Sequence, residues 1–125
     1  MARRALGFDM TVAGMRRSAG PLDFEGVAVR PLEELLRTSD HLVLCAPLTE
    51  ETRGLIGAAE LLLMKPGAHL INVGRGALID SEALRPALDG ALGGVTLDVT
   101  EPEPLPERRL QAVMSGGKAK CSVQL

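Results

Sequence analysis

The sequence predicts an α/β fold in which a parallel β-sheet is covered by helices. Short runs rich in Val, Ile and Leu alternate with stretches at helical spacing, the order of a parallel sheet and not of a sandwich or bundle. Two of those runs, 41–46 and 68–73, are nearly continuously apolar, as strands buried on both faces are. Prolines and glycines stand where the runs stop, at Pro47, Pro66-Gly67, Gly74 and Gly90.

Taken in order, Met10 to Gly14 reads as a short strand. Met15 to Gly26, with Gly20-Pro21, reads as a loop, and Val27 to Val29 as a second, very short strand. Pro31 suits the first turn of a helix, where its missing N–H is not needed. Leu32, Leu35 and Leu36 then share one face, and the helix ends near Thr38-Ser39-Asp40. His41 to Ala46 is a buried strand stopped by Pro47, which cannot donate to a ladder. A polar turn over Thr49 to Arg53 leads to a short helix, Ala58 to Met64, whose leucines Leu61 to Leu63 are expected in the core and which Pro66-Gly67 closes.

Ala68 to Val73 is the next buried strand, followed by Gly74-Arg75-Gly76. Asp80 or Ser81 can cap a helix running to about Asp89, with Gly90 as its stop. Pro86 lies inside it; an interior proline typically costs about 3 kcal/mol, so a kink or a shifted boundary is expected. Gly94 to Val99 is the last strand, and Glu101-Pro102-Glu103-Pro104 leaves it extended. After Pro106 the pattern fails, and neither a strand nor a convincing helix is expected. The chain thus reads as one domain over 1–105 with a divergent, flexible tail over 106–125.

Composition excludes several classes of function. With two Phe, no Tyr and no Trp the core must be aliphatic, and there is no aromatic platform for single-stranded nucleic acid. A formal charge of -2 offers no basic footprint, so nucleic acid is not an expected partner. No run approaches a membrane span of roughly 18 apolar residues, and Asp9 interrupts the apolar stretch after Arg3 and Arg4 too early for a signal peptide. Two cysteines, Cys45 and Cys121, suggest neither a disulfide framework nor a metal site, so a cytoplasmic location is expected. Cys45, in an apolar run, is expected to be a small buried residue.

Ligands of open parallel sheets bind outside the carboxyl ends of the strands. Three such ends carry unusual residues here: Cys45-Ala46-Pro47, Val73-Gly74-Arg75-Gly76, and Asp98 through Glu103. An arginine between glycines suits a carboxylate or ketone oxygen. Its planar fork donates two parallel hydrogen bonds, and the glycines let a ligand approach the backbone. The plainer alternatives are a structural ion pair for Arg75, surface charges for Glu101 and Glu103, and a turn cap for Asp98.

In this order the residues resemble the nucleotide-binding domain of the D-isomer-specific 2-hydroxyacid dehydrogenases over roughly residues 5 to 105. The resemblance runs through Leu32-Glu33-Glu34-Leu35-Leu36, Ser39-Asp40, Ala46-Pro47-Leu48-Thr49 and Thr52. It continues through Met64-Lys65-Pro66-Gly67-Ala68, Ile71-Asn72-Val73-Gly74-Arg75-Gly76, Leu97-Asp98-Val99 and Glu101-Pro102-Glu103-Pro104. It implies a Rossmann-like, doubly wound parallel sheet, NADP or NAD as cofactor, a small 2-oxo or 2-hydroxy acid as substrate, and a homodimer. By the same resemblance Arg75 binds the substrate carboxylate and carbonyl, and Glu103 orients a catalytic histidine and raises its pKa. Asp98 meets the nicotinamide end, while Ala46, Pro47, Val73 and Gly74 line the cofactor. Hydride addition builds negative charge on a ketone oxygen, which a cation stabilises and a histidinium quenches.

Three departures qualify the resemblance. The family's G-x-G-x-x-G turn, which sets pyrophosphate on a helix N-terminus, and the strand before it have no counterpart here, so a partial sheet lacking its first strand is expected. No histidine follows Glu103. His41 and His69 precede it within expected strands and read as structural, and the family's second domain has no counterpart. Where the family often has an acidic residue after the second strand, this chain has Met15-Arg16-Arg17. Arginine there would pair with a 2′-phosphate, so Arg16 is expected to contact the cofactor and favour NADP. The expected function is therefore a fragment of a hydride-transferring oxidoreductase; the alternative is a catalytically inactive cofactor-binding or protein-interaction module.

Overall fold

A computed structural model describes residues 1–16, 25–90 and 92–101, together with the backbone of 120–123. The chain divides into two compact units, Met1–Leu35 and Leu36–Leu125. In the first, helix α1 (Ala2–Leu6) precedes strand β1 (Val12–Gly14), which pairs in parallel with β2 (Val27–Val29). Asp9 makes the turn between α1 and β1 in left-handed backbone at φ 58°, a conformation that Asp adopts more readily than most residues. Helix α2 (Leu32–Thr38) spans the division between the units. It opens as expected at Pro31, whose carbonyl accepts from Leu35 N, and an Arg30–Glu34 pair at 3.0 Å supports its first turn.

The second unit is built on strands β3 (His41–Leu44), β4 (His69–Asn72), β5 (Gly94–Leu97) and β6 (Lys120–Val123), all parallel and in that spatial order. The register aligns His41, His69, Gly94 and Lys120 at one end and Leu44, Asn72, Leu97 and Val123 at the other. Helix α3 (Ala58–Leu63) connects β3 to β4. A 3-10 turn (Gly76–Leu78) and helix α4 (Ser81–Asp89) connect β4 to β5, and α3 and α4 pack together. The architecture is the expected α/β one, Rossmann-like, with parallel sheets and flanking helices.

Both helix starts are capped from the sequence's own polar residues. The Glu60 carboxylate accepts from Gly57 N at 3.0 Å, and Asp80 Oδ1 accepts from Glu82 N at 3.0 Å. Pro86 lies within α4, which still ends at Asp89. Pro86 itself is exposed, so its ring stands on the solvent side of the helix. The core is aliphatic as composition requires: Leu36, Ile56, Leu70, Leu78 and Val95 are almost completely buried.

Three expectations are corrected. A strand does follow Pro106: β6 pairs with β5, and its Lys-Cys-Ser-Val sequence carried no apolar run by which to recognise it. Cys45 is exposed, not buried, because the ladder of β3 stops at Leu44 and the period-two pattern buries Leu42 and Leu44 while turning 41 and 45 outward. Leu62 is 85% exposed although Leu61 is buried, since successive helical residues point about 100° apart. Among the described residues no helix is long and apolar enough to cross a membrane.

Two contacts at the amino ends of the strands make measurable claims. A Cβ on Gly93 would lie 2.2 Å from the Gly67 carbonyl oxygen, rigid backbone that cannot yield as a side chain does. Gly93→Ala is therefore expected to lower unfolding free energy by about 1–3 kcal/mol, measured by equilibrium urea denaturation. Lys65, by hydrogen bond and charge, holds the exposed Asp40 carboxyl below the usual carboxylate range. A depressed folded-state pKa contributes stability above the unfolded pKa, lost as pH falls through the folded one. Asp40→Asn should thus lower the urea midpoint slightly at neutral pH, with the difference vanishing in acid and shrinking with salt.

Candidate functional site

Because the strands of the second unit are parallel, the carboxyl ends of β3, β4 and β5 meet at one edge of the sheet. One residue past the regular ladder the strands are still joined: Val73 N donates to Leu44 O at 3.1 Å and Asp98 N to Asn72 O at 3.0 Å. This edge brings together Ala46, Pro47, Val73, Gly74, Arg75 and Asp98. Arg16 lies in the first unit, exposed just after β1. Arg17 and Glu103 fall outside the described residues.

Each loop at the edge is fixed locally. After β3, Thr52 Oγ1 donates to Pro47 O at 2.8 Å and accepts from Thr49 N at 2.8 Å, folding 47–52 into a closed turn. Further along, Ile56 N donates to Leu78 O and Asp80 N to Ile56 O, a short parallel bridge that ties the approach to α3 to the approach to α4. After β4, the turn carrying Arg75 is wedged between its neighbours. A Cβ on Gly74 would lie 2.9 Å from Leu78 Cδ1 and 3.1 Å from Ala46 O. A Cβ on Gly76 would lie 2.2 Å from the Thr100 carbonyl carbon and 2.5 Å from Glu101 N. Gly76 is therefore required by packing against the segment after β5, before any ligand is considered, whereas a methyl at Gly74 would need only the Leu78 side chain and the Ala46 carbonyl to give slightly.

Two side chains tie the segment after β5 to the other loops. Arg53 pairs with the Glu101 carboxylate at 3.1 Å, and Ser81 Oγ donates to Glu101 O at 3.2 Å. Glu101, whose plainer reading was a surface charge, thus links the loops after β3 and β5 and the start of α4.

Arg75 itself is exposed, and its NH1 donates to Gly74 O at 2.8 Å. Among the described residues no carboxylate pairs with it. Exposed apolar side chains stand at the same edge: Val73 is 40% and Leu48 36% exposed. The two histidines lie at the opposite end of the sheet. His69 Nε2 and Thr96 Oγ1 are 2.9 Å apart, the His41 and His69 rings are 6.1 Å apart, and both residues begin their strands.

The residue that sequence reasoning left without a role is Asn72. It is the one completely buried polar residue of the core among those described, at the last ladder position of β4. The available signal was an Asn at the end of an apolar strand, two residues before a glycine, where its side chain can close a turn on the backbone.

The comparisons with known proteins agree in one direction. Residues 1–115 match the family described as D-isomer specific 2-hydroxyacid dehydrogenase, NAD binding domain. A glyoxylate reductase of Thermococcus gammatolerans is 49% identical over 107 residues, which make up 83% of this chain and 32% of the relative. A crystal structure of a glyoxylate reductase from Paecilomyes thermophila superposes with a TM-score of 0.82 at 38% identity, covering 96% of this chain and 36% of that one. A D-isomer specific 2-hydroxyacid dehydrogenase from Xanthobacter autotrophicus Py2, solved with NADPH and MES, gives a TM-score of 0.72 at 42% identity over 78% of this chain and 41% of that one. The chain spans about a third of the length of the curated relatives it matches.

The packing at the edge sets an order of mutational effects. Gly76→Ala, which drives a methyl into the Thr100–Glu101 peptide, is expected to lower unfolding free energy by about 1–3 kcal/mol. Glu101→Gln, which removes only a half-exposed ion pair, should lower it by at most about 1 kcal/mol. Urea denaturation of both variants checks the order, and equal losses would refute the glycine wedge.

Proposed function

The chain belongs to the D-isomer specific 2-hydroxyacid dehydrogenase family through its NAD binding domain, and on that premise we propose that it forms the cofactor-holding portion of an oxidoreductase. The reaction proposed is hydride transfer between NAD(P)H and a 2-oxo acid or D-2-hydroxy acid. The observation that carries this reading is Arg75, an exposed cation held between two packed glycines at the carboxyl edge, without a carboxylate partner among the described residues.

The residues present fit the nicotinamide end of such a cofactor. Exposed Val73 and Leu48 offer apolar surface, and Ala46, Pro47 and Gly74 present backbone at the strand ends, beside Asp98. When bound, the nicotinamide supplies or accepts the hydride. Arg75 then binds the substrate carboxylate with its planar fork and stabilises the negative charge that develops on the carbonyl oxygen. Glu103 takes, by the family resemblance, the role of orienting a proton-donating imidazole, a group that His41 and His69 do not provide at this edge. Arg16 is proposed as the group that pairs with a 2′-phosphate, favouring NADP over NAD. The same reading takes the protein as a cytoplasmic homodimer acting on a small acid such as glyoxylate.

A second reading, cofactor binding without turnover, is favoured by the histidines. Both imidazoles in the sequence start their strands, at the end of the sheet away from Arg75, so neither is placed to protonate a substrate there.

Titration of the purified chain with NADPH and NADH, followed by nicotinamide fluorescence, tests the cofactor reading. Saturable binding that favours NADPH is expected, with the preference lost in Arg16→Ala. Absence of binding by a folded sample would overturn it. Assay of glyoxylate reduction by the same chain separates the two readings: measurable turnover refutes the second, and binding without turnover supports it.

A further inference from the structure

Arg75 is useful as an oxyanion or carboxylate grip only if its guanidinium has a fixed origin, and nothing on the side chain itself provides one. Its backbone supplies the origin. Asn72 Oδ1 accepts from Gly74 N at 3.0 Å, and Asn72 Nδ2 donates to Arg75 O at 2.8 Å. One carboxamide thus spans the Gly74–Arg75 peptide, holding the amide on one side and the carbonyl on the other. Gly74 O, within the same span, accepts from Arg75 NH1 at 2.8 Å. The hydrogen bonds form a chain from a completely buried side chain, through the single residue Gly74, to the charged fork at the surface.

From this geometry we infer that Asn72 is the positioning residue of the site, setting where the Arg75 guanidinium stands by clamping the turn from within the sheet. The inference rests on the proposed role of Arg75 as the substrate-binding cation. The chemistry singles out a primary amide. Asp at this position accepts but, when ionised, cannot donate; Leu shares the branched shape, at a larger volume, but does neither; Ser is too short to span both groups. The main chain of Asn72 is already engaged, since its carbonyl accepts from Asp98 N, so only the side chain is free to hold the turn. Arg75 O also accepts from Leu78 N at 3.1 Å, which starts the 3-10 turn. Losing the Asn72 donor removes one of two partners of that carbonyl and leaves the other in place. The expected result is a displaced turn and not an unfolded one.

The test uses the full chain, labelled with nitrogen-15, as wild type, Asn72→Asp, Asn72→Leu and Arg75→Gln. Two readouts are taken: amide hydrogen exchange with the Arg75 Nε–H signal, and binding of oxalate as the carboxylate probe. In both Asn72 variants the Gly74 amide should exchange about tenfold faster or more. The Arg75 Nε–H signal should shift or broaden, and amides of Leu70 and Val95 in the sheet centre should stay as protected as in wild type. Oxalate affinity should fall by about tenfold in the Asn72 variants, approaching the loss in Arg75→Gln.

An unchanged Gly74 amide and Arg75 signal would overturn the inference, as would equal loss of protection across the sheet, which marks Asn72 as general packing only. Loosening of the turn with oxalate affinity retained, while Arg75→Gln abolishes it, would also overturn it. If oxalate binds no better to wild type than to Arg75→Gln, the proposed role of Arg75 fails. The clamp is then decided by the exchange and Arg75 signals alone, which need no ligand.

Discussion

Parallel register is the constraint from which the second unit follows. His41, His69 and Gly94 are aligned residue for residue, so β3, β4 and β5 all end within one residue of each other. Parallel strands need long crossovers, and the chain returns beneath the sheet through α3 and α4 to begin each new strand. Every loop at the carboxyl edge therefore leaves a strand and every loop at the amino edge enters one. The two edges acquire different chemistry from this alone. The amino edge holds the His41–His69 pair and the Lys65–Asp40 ion pair, while the carboxyl edge holds Arg75, Asp98 and the Arg53–Glu101 pair.

Glycine is used at both edges for close approach of backbone to backbone. Gly93 meets the Gly67 carbonyl at the amino edge, and Gly76 meets the Thr100–Glu101 peptide at the carboxyl edge. The sequence signal, glycines flanking an arginine, admitted two explanations: room for a ligand or room for the protein. The structure supplies the second for Gly76, and it makes the position of Arg75 a consequence of how β4 and β5 pack. A site built this way is only as mobile as the strands that carry it.

Much of this was legible in the residues. Nearly continuous apolar runs marked β3 and β4, Pro31 and Asp80 marked the starts of α2 and α4, and the carboxyl-edge rule pointed to strand ends carrying Ala46, Pro47, Val73, Gly74, Arg75 and Asp98, which the structure sets at one edge. What escaped has a physical cause in each case. β6 is defined by its partner β5 and not by an apolar pattern of its own. The strands are shorter than their apolar runs because residues past the ladder, such as Cys45 and Val73, remain apolar while turning outward. Asn72 looked like the polar end of a strand, and its work appears only when both hydrogen bonds of its amide are seen together. The role of Glu101 depends on Arg53, 48 residues away in sequence, a pairing that local spacing does not encode.

The relative strength of these ties decides which of them governs the edge. The Arg53–Glu101 pair is half exposed on both sides, and such pairs contribute about 0–1 kcal/mol and weaken with salt. The Asn72 amide is fully buried, and stranding a buried donor or acceptor costs about 1–3 kcal/mol for each group left unpaired. Backbone contacts at Gly76 are stiffer still, since moving them requires moving a strand end. Arg75 is thus held from its buried side, by an amide and a glycine wedge, while its guanidinium is tied only to its own turn. A ligand carboxylate that takes over the NH1 donor from Gly74 O would exchange one hydrogen bond for a charge-assisted one, leaving the buried clamp undisturbed.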